Sequence, residues 1–214
     1  IKKVVLAHRL REIRALIAFN RINPIEKDLF GDTSEKNSIV RHPMPITEKA
    51  NTEWLPAMEI RGEGIFIEFD FEAIKQWLNN DIVKKRVSLI NMNFLNLCRT
   101  SGREPKSISP SFVLLHTFAH ILMRQLSFEC GYSTASLRER IYCNEPDNKY
   151  AMSGVLIYTA SGDSEGSMGG LVRQGRKDKL TNIIAKAIKH AAWCSSDPAC
   201  VESSGQGLGA LNLA

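Results

Sequence analysis

The stretch from Gly154 to Cys200, GVLIYTASGDSEGSMGGLVRQGRKDKLTNIIAKAIKHAAWCSSDPAC, constrains the fold more than any other part of the chain. Val155, Leu156, Ile157 and Tyr158 form an apolar, β-rich run that small residues break at once, which predicts a short buried strand. Gly162, Ser164, Gly166, Ser167, Gly169 and Gly170 then supply a loop that turns sharply and approaches other groups closely. From Lys177 the period becomes helical. Leu180, Ile183, Ile184, Ala187, Ile188 and Ala191 fall on one face, with Lys179, Lys186, Lys189 and His190 opposite.

Loop amides and hydroxyls beside a helix start are suited to a phosphate or a carboxylate, so these six loop residues are candidate anion ligands. The loop lacks the Lys of a P-loop, and it is not a G-x-G-x-x-G turn. ATP hydrolysis is therefore not expected of this chain. Asp163 and Glu165, two apart in the same loop, read either as a solvated pair or as an acid/base or metal-binding pair.

Charge adds a second feature. Arg173, Arg176, Lys177, Lys179, Lys186 and Lys189 stand against Asp178 alone between 171 and 190, and this window carries the whole net charge of +5. Such a strip is either a solvated helix face or a footprint for nucleic-acid phosphates.

A second helix is expected from Pro110 to about Glu129, with Ser109 as cap and Gly131 as terminator. Its apolar residues cover most of the circumference, so it is expected at the centre of the fold. One stripe is polar: His116, His120, Arg124 and Ser127, with Thr117 alongside. Two histidines four apart share a face, as many metal sites require, but His-Thr-Phe-Ala-His lacks the glutamate of HExxH. The alternative is a pair of histidines bonded to neighbours such as Glu59, Glu63 or Arg124.

Before that helix, residues 3–19 read as an amphipathic helix with Leu6, Leu10, Ile13 and Ile17 as its stripe. Residues 31–53 carry neither period and read as an exposed connection. Met58–Phe69 is strand-like on both sides of Gly62-Glu63-Gly64, as a hairpin or as one strand with a glycine bulge. Helices follow at 72–78 and 82–99, with Asp70 and Asp81 placed as caps. Residues 136–142 read as a short strand or a turn of helix. The expected fold is a single mixed α/β domain with a central buried helix and a strand–Gly-rich loop–helix unit. Its divisions are an N-terminal helix and lead-in (1–30), an exposed connection (31–56) and the main domain (57–214).

With 214 residues, 43% of them apolar and 24% charged, the chain buries a real core. No apolar run approaches the ~18 residues of a membrane span. The start lacks Met and meets charge early, which reads as a piece of a longer protein without a signal peptide. The odd count of five irregularly spaced cysteines favours a reducing cytoplasm over a disulfide framework. Cys194 and Cys200 supply half of the roughly four ligands that zinc takes.

Several segments together resemble the MZB domain, found at the C-terminal end of bacterial helicase-associated proteins. They are HTFAH (116–120), CGYSTASLRERIY (130–142), GVLIYTASGDSEGSMGGL (154–171) and WCSSDPAC (193–200). Leu10–Ile13 and Glu59–Phe66 extend the resemblance toward the start of the chain. Within that family the sequence looks most like the B subunits of the DISARM anti-phage defence system.

The resemblance implies a non-motor partner of a superfamily-2 DNA helicase, acting on DNA, with zinc held by four cysteines. Cys194 and Cys200 match the first pair. The second pair follows Ala214 in similar sequences, so the parent protein is expected to bind zinc and this piece to purify with little or none. The competing class is a metal-dependent nuclease or other phosphoryl-transfer enzyme using His116, His120, Asp163 and Glu165. Convergence of those four side chains on an open cleft would favour the enzyme.

Overall fold

The computed structural model describes residues 1–16, 18–19, 44–45, 54–100, 107–132, 136–144, 152–159 and 169–192. The elements run β1 (Lys3–Ala15), β2 (Ala18–Phe19), β3 (Met44–Pro45), β4 (Ala57–Glu68), α1 (Phe71–Leu78), α2 (Asp81–Thr100), α3 (Pro110–Cys130), β5 (Leu137–Cys143), β6 (Ser153–Thr159), α4 (Gly170–Gln174) and α5 (Lys177–Ala191). Four strands make one antiparallel sheet in the order β1-β4-β6-β5, while β2 and β3 pair separately. The fold is the mixed α/β domain expected.

Residues 3–15 are a strand, which corrects the helix expected over 3–19; Leu16 follows it, and Ile17 lies outside the described residues. Ala7 pairs with Gly64 and Leu10 with Gly62, so His8 and Arg9 together face Glu63 alone. That extra residue shifts the pleat by one position. Val4 and Leu6 pack toward the core before the bulge, and beyond it Leu10 pairs with Gly62 on the opposite face. Leu6 and Leu10 thus lie on opposite faces and Ile13 is exposed, so the residues that suggested one helical stripe do not share one face in the sheet. The segment expected at 58–69 is accordingly one strand, Ala57–Glu68, and no hairpin, and its irregularity belongs to the partner strand.

Asp70 caps α1, accepting from the backbone N–H groups of Glu72 and Ala73 at 3.0 and 3.2 Å. Asp81 is not the cap of α2 but its first helical residue. Asn80 takes the capping role, its Oδ1 accepting from the Ile82 N–H at 2.9 Å. Asparagine serves as well as aspartate there, because a side-chain oxygen one residue before the helix is all the position needs.

The central helix starts and stops as its sequence dictates. Ser109 Oγ accepts from the Phe112 N–H at 3.2 Å, and Gly131 closes the far end with φ of 73°, where a side chain would be strained. Leu115, Leu122 and Leu126 are fully buried against Ile65, Ile67, Val155 and Ile157 of the two middle strands. A second cluster joins α2 to the start of α3 through Val87, Ile90, Phe94, Ile108, Phe112 and Val113. Among the described residues, no helix is long and apolar enough to cross a membrane.

Leu122 has 0% exposure. Leu122→Ala should therefore cost about 2–5 kcal/mol in denaturant unfolding, the range for truncating a buried leucine. A loss below about 1 kcal/mol would contradict a central position for α3.

Candidate functional site

Two sets of polar groups sit inside this frame. The first centres on Glu63, in the middle of β4 and 2% exposed. Its carboxylate accepts from the Leu171 N–H at 2.8 Å, the Val172 N–H at 3.4 Å and the Tyr132 hydroxyl at 3.4 Å. The Glu63 N–H in turn donates to Thr159 Oγ1 at 3.1 Å. Leu171 and Val172 stand in the first turn of α4, whose cap residue, Gly169, has φ of 115° and no side chain to offer. Those orphan amides need an acceptor, and a carboxylate from the sheet supplies it.

The helix-start amides that an external anion would use are thus taken by the protein's own glutamate. Of the six candidate anion-loop residues, Gly169 caps α4 and Gly170 opens it. Gly162, Ser164, Gly166 and Ser167 lie outside the described residues, as do Asp163 and Glu165. Burial, and then the nearby Glu63 charge, raises the pKa of the Tyr132 hydroxyl. Burial also pushes the Cys130 thiol up to about 11, with the carboxylates of Glu129 and Glu63 adding to the effect.

The second set lies on α3 and the edge strand β5. His116 and His120, one helical turn apart, point their Nε2 atoms at each other across 3.0 Å. Glu139 approaches from β5, its Oε1 3.6 Å from His120 Nε2. The donor atoms of all three residues lie within 4.8 Å of one another. Phe112, one turn earlier, stacks on His116 with ring centroids 5.3 Å apart and planes at 21°, which fixes that imidazole. Burial, and then the proximity of His120, lowers the His116 pKa.

None of the three neighbours considered for the histidines is their partner here. Glu59 binds Arg61 at 2.8 Å and Arg11 at 3.6 Å, Glu63 serves α4, and Arg124 is exposed. Glu139 was not anticipated from the sequence. Its signal was present in the alternation Leu137-Arg-Glu-Arg-Ile141, which places Glu139 on the same sheet face as Leu137 and Ile141.

The basic residues spread over two helices. Arg173 is on α4, Arg176 precedes α5, and Lys177, Lys179, Lys186 and Lys189 are on α5. Arg173, Arg176, Lys177 and Lys189 are exposed and Lys179 is half-buried. Lys186 is bridged to Glu129 of α3 at 2.6 Å, and this bond holds the Glu129 pKa below its usual range. Cys194 and Cys200 lie outside the described residues.

Removing the Glu63 carboxylate with Glu63→Ala strands two buried N–H groups. The loss expected in equilibrium unfolding is about 1–3 kcal/mol, the cost of leaving such groups unsatisfied. Cys130 gives a pH signature. Its alkylation by iodoacetamide, followed site by site by mass spectrometry, should be slow at neutral pH and rise about tenfold per pH unit. The rise should continue to about pH 11, where the folded thiol ionises, and levelling near 9 would contradict its buried, anionic surroundings.

Comparison with known proteins bears on these residues. The family described as MZB, MrfA Zn-binding domain, matches residues 118–205, a span that includes His120, Glu139, α4, α5 and the Cys194–Cys200 segment. The chain is also 42% identical over 202 residues to the DISARM protein DrmB of Bacillus paralicheniformis (strain ATCC 9945a / NCIMB 11709 / CD-2). That alignment takes in 92% of this chain and 33% of the relative, so the chain spans about a third of the length of the protein it matches. By its sequence, then, the chain matches the MZB family over residues 118–205 and is, over most of its length, a relative of a DISARM DrmB protein.

Proposed function

We propose that this chain belongs to a non-motor subunit of a bacterial anti-phage defence complex, docks on a superfamily-2 DNA helicase and contributes to nucleic-acid binding. The observation that carries this reading is the 42% identity to a DISARM DrmB protein across 92% of the chain. In it, residues 57–214 act as the MZB-like domain and the protein works in the cytoplasm. Zinc in the parent protein is held by Cys194, Cys200 and further cysteines. A domain name that specifies zinc binding supports that assignment.

DNA contact falls to the basic strip in this reading. Arg173, Arg176, Lys177 and Lys189 are exposed, as contact with phosphates requires, whereas Lys186 is committed to Glu129. In this reading the strip contacts phosphates, so binding should depend weakly on sequence and fall with salt. The helicase docks beside it. Phe128 on α3 is 83% exposed and Ile188 on α5 is 58% exposed, on two helices joined by the Lys186–Glu129 bridge. Large apolar side chains left in water are typical of surfaces that bind a partner.

Changing Lys177 and Lys189 together to Gln leaves the Lys186–Glu129 bridge intact. The double variant should weaken binding to duplex DNA and reduce the slope of log K against log salt by roughly 0.9 per residue removed. Unchanged affinity and slope would make the strip a docking face and assign DNA contact to the motor subunit. Capture of the helicase by the full-length protein from its host, lost on Phe128→Asp, tests the docking half of the reading.

A further inference from the structure

We infer that His116, His120 and Glu139 form a binding site for a divalent ion of the zinc class, separate from Cys194 and Cys200. Geometry comes first. Zinc bonds of about 2.0–2.1 Å in a tetrahedral arrangement hold neighbouring donor atoms roughly 3.3 Å apart. The observed separations of 3.0 Å between the Nε2 atoms and 3.6 Å from His120 Nε2 to Glu139 Oε1 bracket that spacing. One ion between them reaches all three donors with small side-chain adjustments.

The chemistry of the donors selects the metal. Two imidazoles and one carboxylate suit zinc and its first-row neighbours, whereas calcium and magnesium take oxygen ligands. An imidazole binds metal as the neutral ring, so each histidine can offer its Nε2 lone pair to an ion. The supporting structure is rigid where it has to be. His116 and His120 ride on the central helix, Phe112 stacks on the first ring, and Glu139 is held in the sheet by pairing with Ile157.

The His120 side chain is 56% exposed, so the ion is accessible from solvent and a fourth ligand can come from water or a bound partner. Three protein ligands with one open position distinguish this arrangement from a closed structural site of four cysteines. Bound there, the ion would fasten the edge strand β5 to α3.

Cobalt(II) is the probe, titrated into the full 214-residue chain, with zinc competition by calorimetry. The expected result is one cobalt with visible d–d bands and no near-ultraviolet thiolate charge-transfer band, displaced by zinc. His120→Ala and, separately, Glu139→Gln should each weaken binding by roughly 10–100-fold or more, since even outer-sphere partners contribute that much. His120 is exposed, and Glu139→Gln nearly preserves shape, so circular dichroism should show both variants folded.

Cys194→Ser/Cys200→Ser should retain this cobalt; if the parent chain takes up two ions, the cysteine variant should keep the one without thiolate character. Binding that shows only the thiolate band, survives His120→Ala and disappears with the cysteines would overturn the inference. Absence of any cobalt or zinc uptake would overturn it as well, leaving an imidazole–imidazole hydrogen bond as the reason for the 3.0 Å contact. Neither result bears on the salt dependence of DNA binding, so this site and the defence-complex reading fail separately.

Discussion

A single buried carboxylate holds the layers of this protein in register. Glu63 sits in one of the two strands that have neighbours on both sides, and it reaches out of the sheet to the first turn of α4 and to Tyr132 beyond the end of α3. A carboxylate taken out of water must recover its hydration from fixed donors, and here two of them are backbone amides at the start of α4. The need is mutual. A helix of five residues with a glycine cap has little of its own to hold it, and Glu63 gives its open end a fixed place. The segment that follows, α5 with its basic residues, inherits that position.

How far the sequence could be read depended on whether each signal was local. The caps at Asp70 and Ser109, the stop at Gly131 and the long apolar stripe of α3 are local, and they appear where their residues stand. The strand at 155–158 and the helix from Lys177 were legible for the same reason. The failure at residues 3–15 has a non-local cause, because pairing with β4 makes the segment a strand and decides where its pleat slips, and no residue in β1 announces either. The site shows the same division. The His116–His120 spacing is local to one helix, but Glu139 joins them only through the packing of β5 beside α3, and the capping role of Glu63 depends on residues more than 100 positions away.

The two polar sets use opposite solutions to the cost of placing charge near a core. Glu63 is enclosed and saturated by donors from its own chain, which makes it a structural fixture. His116, His120 and Glu139 lie at the rim, with three acceptor-capable groups facing one another and few donors between them. A cluster short of donors gains from a proton or a cation, whereas a saturated one does not. This difference separates the group that builds the fold from the group open to chemistry. The basic strip is divided similarly, since Lys186 is tied to Glu129 while Arg173, Arg176, Lys177 and Lys189 face water.

The strand order β1-β4-β6-β5 has a consequence for how the molecule forms. β1 and β4 pair across a span of roughly 40 residues, a loop whose closure costs about 3 kcal/mol of chain entropy before its contacts repay it. The partner on the other side of β4, β6, is made later still. During synthesis, β1 and β4 therefore exist before the strand that completes the centre of the sheet, and before the α4 amides that bind Glu63. The donors that the Glu63 carboxylate uses on α4 are thus the last part of this arrangement to be made, 108 and 109 positions after Glu63 itself.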